Sequence, residues 1–543
     1  MSQPKRKEET LGIEMTGHEA LACVLRELGI KVVFSSQDLP SFIKETLKSK
    51  EIKVEDSPTV RGAVLMADSY ARENNTTGVV IQIPGSGLLE AVDIVAQAFM
   101  DSVPLLLISS IRSYRDAGRS RLGELRTNED LSNIFAPITK FREKIISIEE
   151  VTVNIEKANK EALSNRNRPS YIEIAEDLFR LKAYPLSTAG QKPEKRTPDK
   201  NTAAKVGELL VNSTRPVIIA GYGVTASNAE DDLREIVELL DIPVISTFRA
   251  KGVIPASNGL YAGEGIGIVG TDEGNRLLEN ADVIVALGTR FGQLSTGGWT
   301  FKFKANLVHN NIDGEDIGKV IMPQLPAVAD TGLFIKEVLN VVKTKVKEKI
   351  DRGIKKEIMT YRKGIILASH TDLWPYDVIR LLSQMKNYSK VFVDLSATTI
   401  DAVRLPIENK KSWFISSSVI SHGMAIGGLI YSSDPKTIGI TDVRSMIQNA
   451  ALLESKINSA KGKLLILNDG GSNYIDTSRS DVPFVMKSDV FYDVDRRLEK
   501  GLGAITISTY SELKDVLKND SNKLEIYNIK IDKCFNSVVL QRA

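Results

Sequence analysis

Short apolar runs bounded by glycine, proline or polar turns alternate along this chain with stretches whose apolar residues recur every three or four positions. The first pattern predicts buried strands and the second amphipathic helices. Their alternation predicts α/β layers built on parallel sheets. In the first segment the predicted strands are 31–34, 78–83 and 104–109, with helices over 64–73 and 88–100 between them. The second segment opens on a buried run into a glycine turn at 216–223 and continues with strands at 242–247, 281–288 and 307–312. A lysine-rich helical stretch, 334–362, leads to the third segment, whose predicted strands are 390–394, 437–442, 463–468 and 504–508. The run 524–531 reads either as the strand that closes this sheet or as a separate edge strand.

The polar, lysine- and proline-bearing stretch 185–201 reads as a linker. The expected division is a domain over 1–185, a linker at 186–200, a central domain over 201–345, a helical linker at 346–370 and a last domain over 371–543. The fold class is therefore α/β, as three doubly wound parallel-sheet domains, three variations on one plan.

Composition narrows the function by exclusion. Of 543 residues, 42% are hydrophobic and 26% charged, enough to bury several cores. Lys and Arg number 71 against 69 Asp and Glu, and a net charge of +2 gives no support to a nucleic-acid partner. No apolar run approaches the ~18–20 residues of a membrane span, and the opening MSQPKRKEET lacks the apolar core of a secretory signal. Cys23 and Cys534 alone make neither a disulfide framework nor a cysteine zinc site, and the histidines lack metal-ligand spacing. The expectation is a cytoplasmic protein.

Several motifs carry candidate chemistry. Gly221-Tyr222-Gly223 after a strand reads as a phosphate-approaching turn or as a plain strand-to-helix turn. The cluster from Gly263 to Gly270 suits neither a helix nor a strand interior, and predicts a loop against a ligand or neighbouring backbone. Arg290, after another buried strand, would bind phosphate or carboxylate, or form a surface salt bridge. Asp442 and Asp469 each follow a strand of the last segment, where α/β sheets bind ligands. With a loop carbonyl they would suit magnesium; otherwise they are ordinary strand-end turns.

Over almost its entire length the chain resembles the thiamine-diphosphate-dependent enzymes, and is most similar to the large, catalytic subunit of acetolactate synthase. The resemblance runs through Met15-Thr16-Gly17-His18-Glu19, Met66-Ala67-Asp68-Ser69-Tyr70-Ala71-Arg72, Pro84-Gly85-Ser86-Gly87, Ala98-Phe99-Met100-Asp101-Ser102-Val103-Pro104 and Lys251-Gly252-Val253-Ile254-Pro255. It implies pyrimidine-binding, central flavin-type and diphosphate-binding domains in that order. It also implies thiamine diphosphate, Mg2+ and possible FAD as cofactors. The implied chemistry is of the transferase or lyase kind: decarboxylation of a 2-oxoacid such as pyruvate, then ligation of the enamine to a second carbonyl. Asp442, Asp469 and the Gly471 carbonyl fall on the family's metal positions. Gly85 and Gly87 fall on its pyrimidine side, Arg444 and Ser445 beside its diphosphate. Gly221, Gly223, Arg290 and Lys140 fall on flavin or carboxylate contacts. The implied partners are a second copy, in a homodimer or homotetramer, or a related subunit in a hetero-oligomer.

The departures cluster at the chemistry. Val60 stands where the family has the glutamate that hydrogen-bonds the aminopyrimidine ring, and a lost acid–base group costs ~10²–10⁴-fold in rate. Glyoxylate carboligase, in the same family, also has valine there, so a glyoxylate-carboligase-like enzyme is one alternative; a degenerate, non-catalytic paralogue or partner subunit is another. His422 replaces the apolar residue that props the cofactor's bent shape, and is either a proton carrier or a structural histidine. Asp469 replaces a metal-ligating Asn, and Arg444 a small Ser. Arg444 is expected to offset the added carboxylate and to grip a phosphate oxygen.

Overall fold

The computed structural model describes residues 10–116, 118–119, 122–362, 371–385, 387–419, 421–476, 484–487, 495–518 and 521–540. They fall into two units, one running to Glu194 together with Ala451–Lys456, the other comprising Lys195–Ala450 and the chain from Ile457 on.

The first unit is built on a six-stranded parallel sheet of β1 (Val32–Ser36), β2 (Lys53–Ser57), β3 (Gly78–Gln82), β4 (Leu105–Ile111), β5 (Phe141–Ile145) and β6 (Ser170–Ala175), in the order β2-β1-β3-β4-β6-β5. Every residue of β1, β3, β4 and β6 is buried, as expected of strands covered by helices on both faces. The motif residues Met15 to Glu19 form a capping box: Glu19 N–H donates to the Thr16 hydroxyl and the Glu19 carboxylate accepts the Thr16 N–H. In helix α1 (Val60–Asn74) Arg72 is buried between Asp68 (2.7 Å) and Asp101 (3.1 Å), which fastens α1 to the following helix. The helix expected over 88–100 starts instead as a 3-10 turn, Gly85–Ala91, because two glycines weaken its first turn, and is α-helical over Val92–Asp101.

The second unit holds two six-stranded parallel sheets. One contains β7 (Pro216–Ala220), β8 (Val244–Ser246), β9 (Tyr261–Glu264), β10 (Val283–Leu287), β11 (Asn306–Asn311) and β12 (Leu325–Val328), in the order β9-β8-β7-β10-β11-β12. The other contains β13 (Lys390–Val393), β14 (Trp413–Ile415), β15 (Thr437–Asp442), β16 (Gly462–Asn468), β17 (Ile505–Ile507) and β18 (Leu524–Lys530), in the order β14-β13-β15-β16-β18-β17. The first and third sheets are thus wound alike and the middle one differently. Phe248, Val269 and Leu294 of the middle layer join the core of the third sheet, and Trp413 Nε1 donates to the Phe248 carbonyl at 2.7 Å.

Two expectations are corrected here. The run 524–531 neither closes the sheet nor stands apart, since β18 lies between β16 and β17. The helical stretch 334–362 breaks into Thr331–Lys345 and Ile354–Tyr361, with Gly353 at φ +70° before the second helix. Residues 363–370 of the expected linker lie outside the described residues.

Candidate functional site

In a doubly wound sheet, ligands bind beyond the carboxyl ends of the two strands where the winding reverses. In the third sheet these are β13 and β15, so Asp394 and Asp442 flank the crevice, both buried. Asp394 Oδ1 accepts the N–H groups of Gly423 (3.0 Å) and Ala425 (3.1 Å), at the start of helix α2 (Met424–Ser432). Its Oδ2 accepts the Thr441 (2.7 Å) and Ser445 (2.6 Å) hydroxyls. Asp442 caps helix α3 (Val443–Lys456), with Oδ1 accepting the Ser445 N–H at 2.8 Å. Burial pushes the Asp442 carboxyl up, reinforced by Asp394 and opposed by His422 and by hydrogen bonds from Ser445 and Ser396. Ser445 therefore joins two carboxylates. His422 precedes Gly423, whose φ of +117° turns the chain into α2, and its carbonyl accepts Asn449 Nδ2 at 3.2 Å.

Asp469 lies beyond β16, the neighbour of β15. Its Oδ1 accepts the Gly471 N–H at 2.8 Å; its Oδ2 accepts Asn473 N–H at 2.9 Å and Nδ2–H at 2.8 Å. Gly470 and Gly471, at φ +72° and +73°, let the loop wrap this carboxylate. The Gly471 carbonyl accepts Arg444 Nη2 at 2.5 Å.

This arrangement does not fit magnesium. A guanidinium already holds the carbonyl that the resemblance assigns to the metal, and three of the lone-pair sites of Asp469 are already taken by N–H donors. A divalent cation ~4 Å from a guanidinium would meet roughly 8 kcal/mol of repulsion at an effective dielectric of ~20, before screening. Among the described residues no three His, Cys, Asp or Glu side chains form a metal-holding group.

The reversal of the first sheet lies between β1 and β3, and β3 ends in Gln82. Gln82 is 1% exposed, and its Oε1 has no hydrogen-bond partner among the described residues. A Cβ on Gly87 would stand 2.8 Å from Gln82 Nε2 and 3.2 Å from Val60 Cγ2, so Val60, Gln82 and Gly87 form one cluster. An orphaned acceptor there fits an amine-bearing ring. Gly85 is required by packing, because a Cβ would sit 2.3 Å from the Ser110 carbonyl. Beside that turn, Ser109 Oγ lies 2.7 Å from Tyr171 Oη, which donates to Glu173 Oε1 at 2.9 Å. Burial raises the Glu173 carboxyl to about 7, only partly offset by Tyr171 and Lys144.

In the middle sheet the reversal is occupied by backbone. A Cβ on Gly221 would lie 2.4 Å from the Gly288 carbonyl, and one on Gly223 2.6 Å from Gly288 Cα. The N–H groups of Gly221 and Gly223 donate to the Leu287 and Gly288 carbonyls, so this turn presents neither to a phosphate. Arg290 donates to Ser418 at 2.7 Å, and Lys140 donates to the carbonyls of Glu161, Ser164 and Arg166. These bonds give the flavin-contact reading of Gly221, Gly223 and Lys140 no support.

The loop expected over the cluster from Gly263 to Gly270 is corrected at its start, where Gly263 and Glu264 end strand β9; from Gly265 on, a loop and a 3-10 turn pack against neighbouring backbone, with Gly265 N–H on the Ser246 carbonyl and Ile266 N–H on that of Ser295. It borders a cavity of about 310 Å³ where buried Glu264 meets Lys251 (3.2 Å), Arg404 (2.9 Å) and the Tyr261 hydroxyl (2.7 Å). Burial would raise the Glu264 carboxyl, but Lys251 and Arg404 outweigh it and hold it at about 2. Asp394, Gln82 and this network were not singled out as chemistry by the sequence. Only Asp394 had a local signal, a carboxylate ending a predicted strand.

Comparison with known proteins gives the class. Residues 15–131 match the thiamine pyrophosphate enzyme N-terminal TPP binding domain, and residues 203–338 match the thiamine pyrophosphate enzyme central domain. The chain thus carries an N-terminal and a central domain of the thiamine pyrophosphate enzyme type.

Curated proteins similar to the chain include acetolactate synthase large subunits. It is 29% identical over 337 residues to a probable acetolactate synthase large subunit of Methanocaldococcus jannaschii, covering 60% of this chain and 56% of that one. It is 27% identical over 420 residues to a probable acetolactate synthase large subunit of Methanococcus aeolicus, covering 72% of this chain and 69% of that one. With the acetolactate synthase large subunit of Lactococcus lactis subsp. lactis it shares 27% over 399 residues, covering 70% and 66%. Among the described residues no helix is long and apolar enough to cross a membrane.

Proposed function

We propose that this chain binds thiamine diphosphate and acts on a 2-oxoacid, decarboxylating it and ligating the product to a second carbonyl, as acetolactate synthase does. The observation that carries the reading is the pair of switch points in two alike sheets: an orphaned amide oxygen at Gln82 in one, a charged Asp394–Asp442–Arg444 strand end in the other. The matched thiamine pyrophosphate enzyme domains support it.

Thiamine diphosphate, when bound, supplies the electron sink for cleavage next to the carbonyl. In the first unit Gln82 Oε1 would accept an N–H from an aminopyrimidine with the apolar Val60 beside it, and in the second unit Arg444 would face a diphosphate. Asp394 holds the start of α2 in place through its two N–H bonds. FAD has no support from these residues.

A second reading, a partner subunit that binds without turnover, is favoured by Val60, which is 4% exposed and neither donates nor ionises through its side chain. Thermal shift with thiamine diphosphate and separately with FAD, followed by CO2 release from pyruvate and from glyoxylate, tests both. A shift with release supports the enzyme; a shift without release supports the partner subunit. No shift with thiamine diphosphate refutes both.

A further inference from the structure

We propose that the guanidinium of Arg444 takes the place of the divalent cation, so that the third sheet binds the diphosphate of thiamine diphosphate without a metal. The inference rests on the thiamine diphosphate reading above and adds to it the identity of the cation.

The Gly471 carbonyl, the metal's expected third ligand, is held by Arg444 Nη2 at 2.5 Å. An ion on the oxygen's other lone pair would sit within a few ångströms of that guanidinium, and two cations on one carbonyl repel. Arg444 is brought there by construction. It is the second residue of α3, whose start is fixed by the Asp442 cap, and the Gly471 loop is fixed by Asp469. Both carboxylates that would have served a metal therefore position the guanidinium and its acceptor.

The charge pattern agrees. Relative to the pattern the chain resembles, Arg444 adds one positive charge where a serine stood and Asp469 adds one negative charge where an asparagine stood. A planar guanidinium matches phosphate oxygens in pairs and is always charged, so it supplies a cation that chelators do not remove.

The test is isothermal titration of the full chain with thiamine diphosphate, once in excess EDTA and once in excess Mg2+, on the wild type, Arg444→Ala and Arg444→Lys. The expected result is a wild-type Kd that agrees within about threefold between the two buffers. Arg444→Ala loses roughly tenfold or more in EDTA, the range for a charge-assisted hydrogen bond, and recovers part of the loss in Mg2+ because the Gly471 carbonyl is released. Arg444→Lys retains more EDTA binding than Arg444→Ala. Wild-type binding that EDTA abolishes and Mg2+ restores overturns the inference and leaves the thiamine diphosphate reading standing. Equal binding by wild type and Arg444→Ala in EDTA also overturns it. No binding in either buffer overturns the reading beneath it. Should Arg444→Ala fail to fold by circular dichroism, the wild-type comparison alone decides.

Discussion

Gln82 and Asp442 end corresponding strands, the third in chain order, of two sheets wound alike, yet their surroundings diverge. Around Gln82 the neighbours are Val60 and Gly87, and the position that the resemblance gives to an acid is apolar and buried. Around Asp442 are Asp394 and Ser445, and beyond the neighbouring strand lies the Asp469 loop with Arg444 on its Gly471 carbonyl. Charge has left the end where proton transfer is expected and gathered at the end where an anion is expected. A common winding fixes where a ligand approaches, and the residues at the reversal decide whether it is merely held or also made to react.

The sharpest way to break this contrast is to restore the acid. Val60→Glu places a carboxylate at the first position of α1, where the helix dipole favours it. Exchange of the thiazolium C2 proton of bound thiamine diphosphate in D2O should accelerate by ~10²–10⁴-fold. An unchanged rate would mean that position 60 is not what separates this chain from its relatives. Melting temperature will fall, because a buried carboxylate replaces packed methyl groups.

A smaller effect tests whether the first sheet tolerates buried charge at all. Glu173, raised to about 7, binds a proton more tightly folded than unfolded. Its contribution is present below the ordinary carboxylate value near 4.5 and is lost as pH rises towards 7, so the wild type loses stability through that window. Glu173→Gln keeps an acceptor for the Tyr171 hydroxyl and should flatten the profile, gaining about 3 kcal/mol at pH 8 by urea unfolding. An unchanged slope between pH 4.5 and 7 would show that Glu173 is not the titrating group.

The sequence made most sheet interiors plain and most edges obscure, for a physical reason. Interior strands such as Thr437–Asp442 are buried on both faces and read as apolar runs. Lys53–Ser57, Phe141–Ile145, Tyr261–Glu264, Leu325–Val328 and Trp413–Ile415, absent from the sequence expectation, are all sheet edges, short and in most cases partly polar. Ser170–Ala175, though interior, is not among the expected strands, because its run opens on a serine and is interrupted by Glu173. At the site, local pattern identified the strand-end acids but not their partners. The glycines at 221 and 223 are explained by Gly288, and Gly471 by Arg444 from 27 residues earlier, contacts that no window of sequence contains. Glu264 sits in a glycine cluster whose pattern signals a loop and says nothing of Lys251 and Arg404.

The gentlest perturbation sharpens the charged end. Asp469→Asn restores the residue expected from the resemblance and removes one negative charge, leaving the loop one acceptor for the donors of Gly471 and Asn473. Rotation of the Asn473 amide would let its oxygen meet the new NH2 group, so the stability loss should stay near ~1 kcal/mol. With the carboxylate gone, the field of Arg444 at the strand end is less compensated. Thiamine diphosphate affinity in EDTA should therefore tighten by roughly fivefold, the equivalent of ~1 kcal/mol for unit charges 4 Å apart in a water-like dielectric. Weaker binding in EDTA would mean that Asp469 helps hold the ligand itself, and weaker binding that only Mg2+ rescues would return the loop to a metal site. The direction of this small change, read by titration calorimetry, separates a carboxylate that shapes the loop around Arg444 from one that waits for an ion.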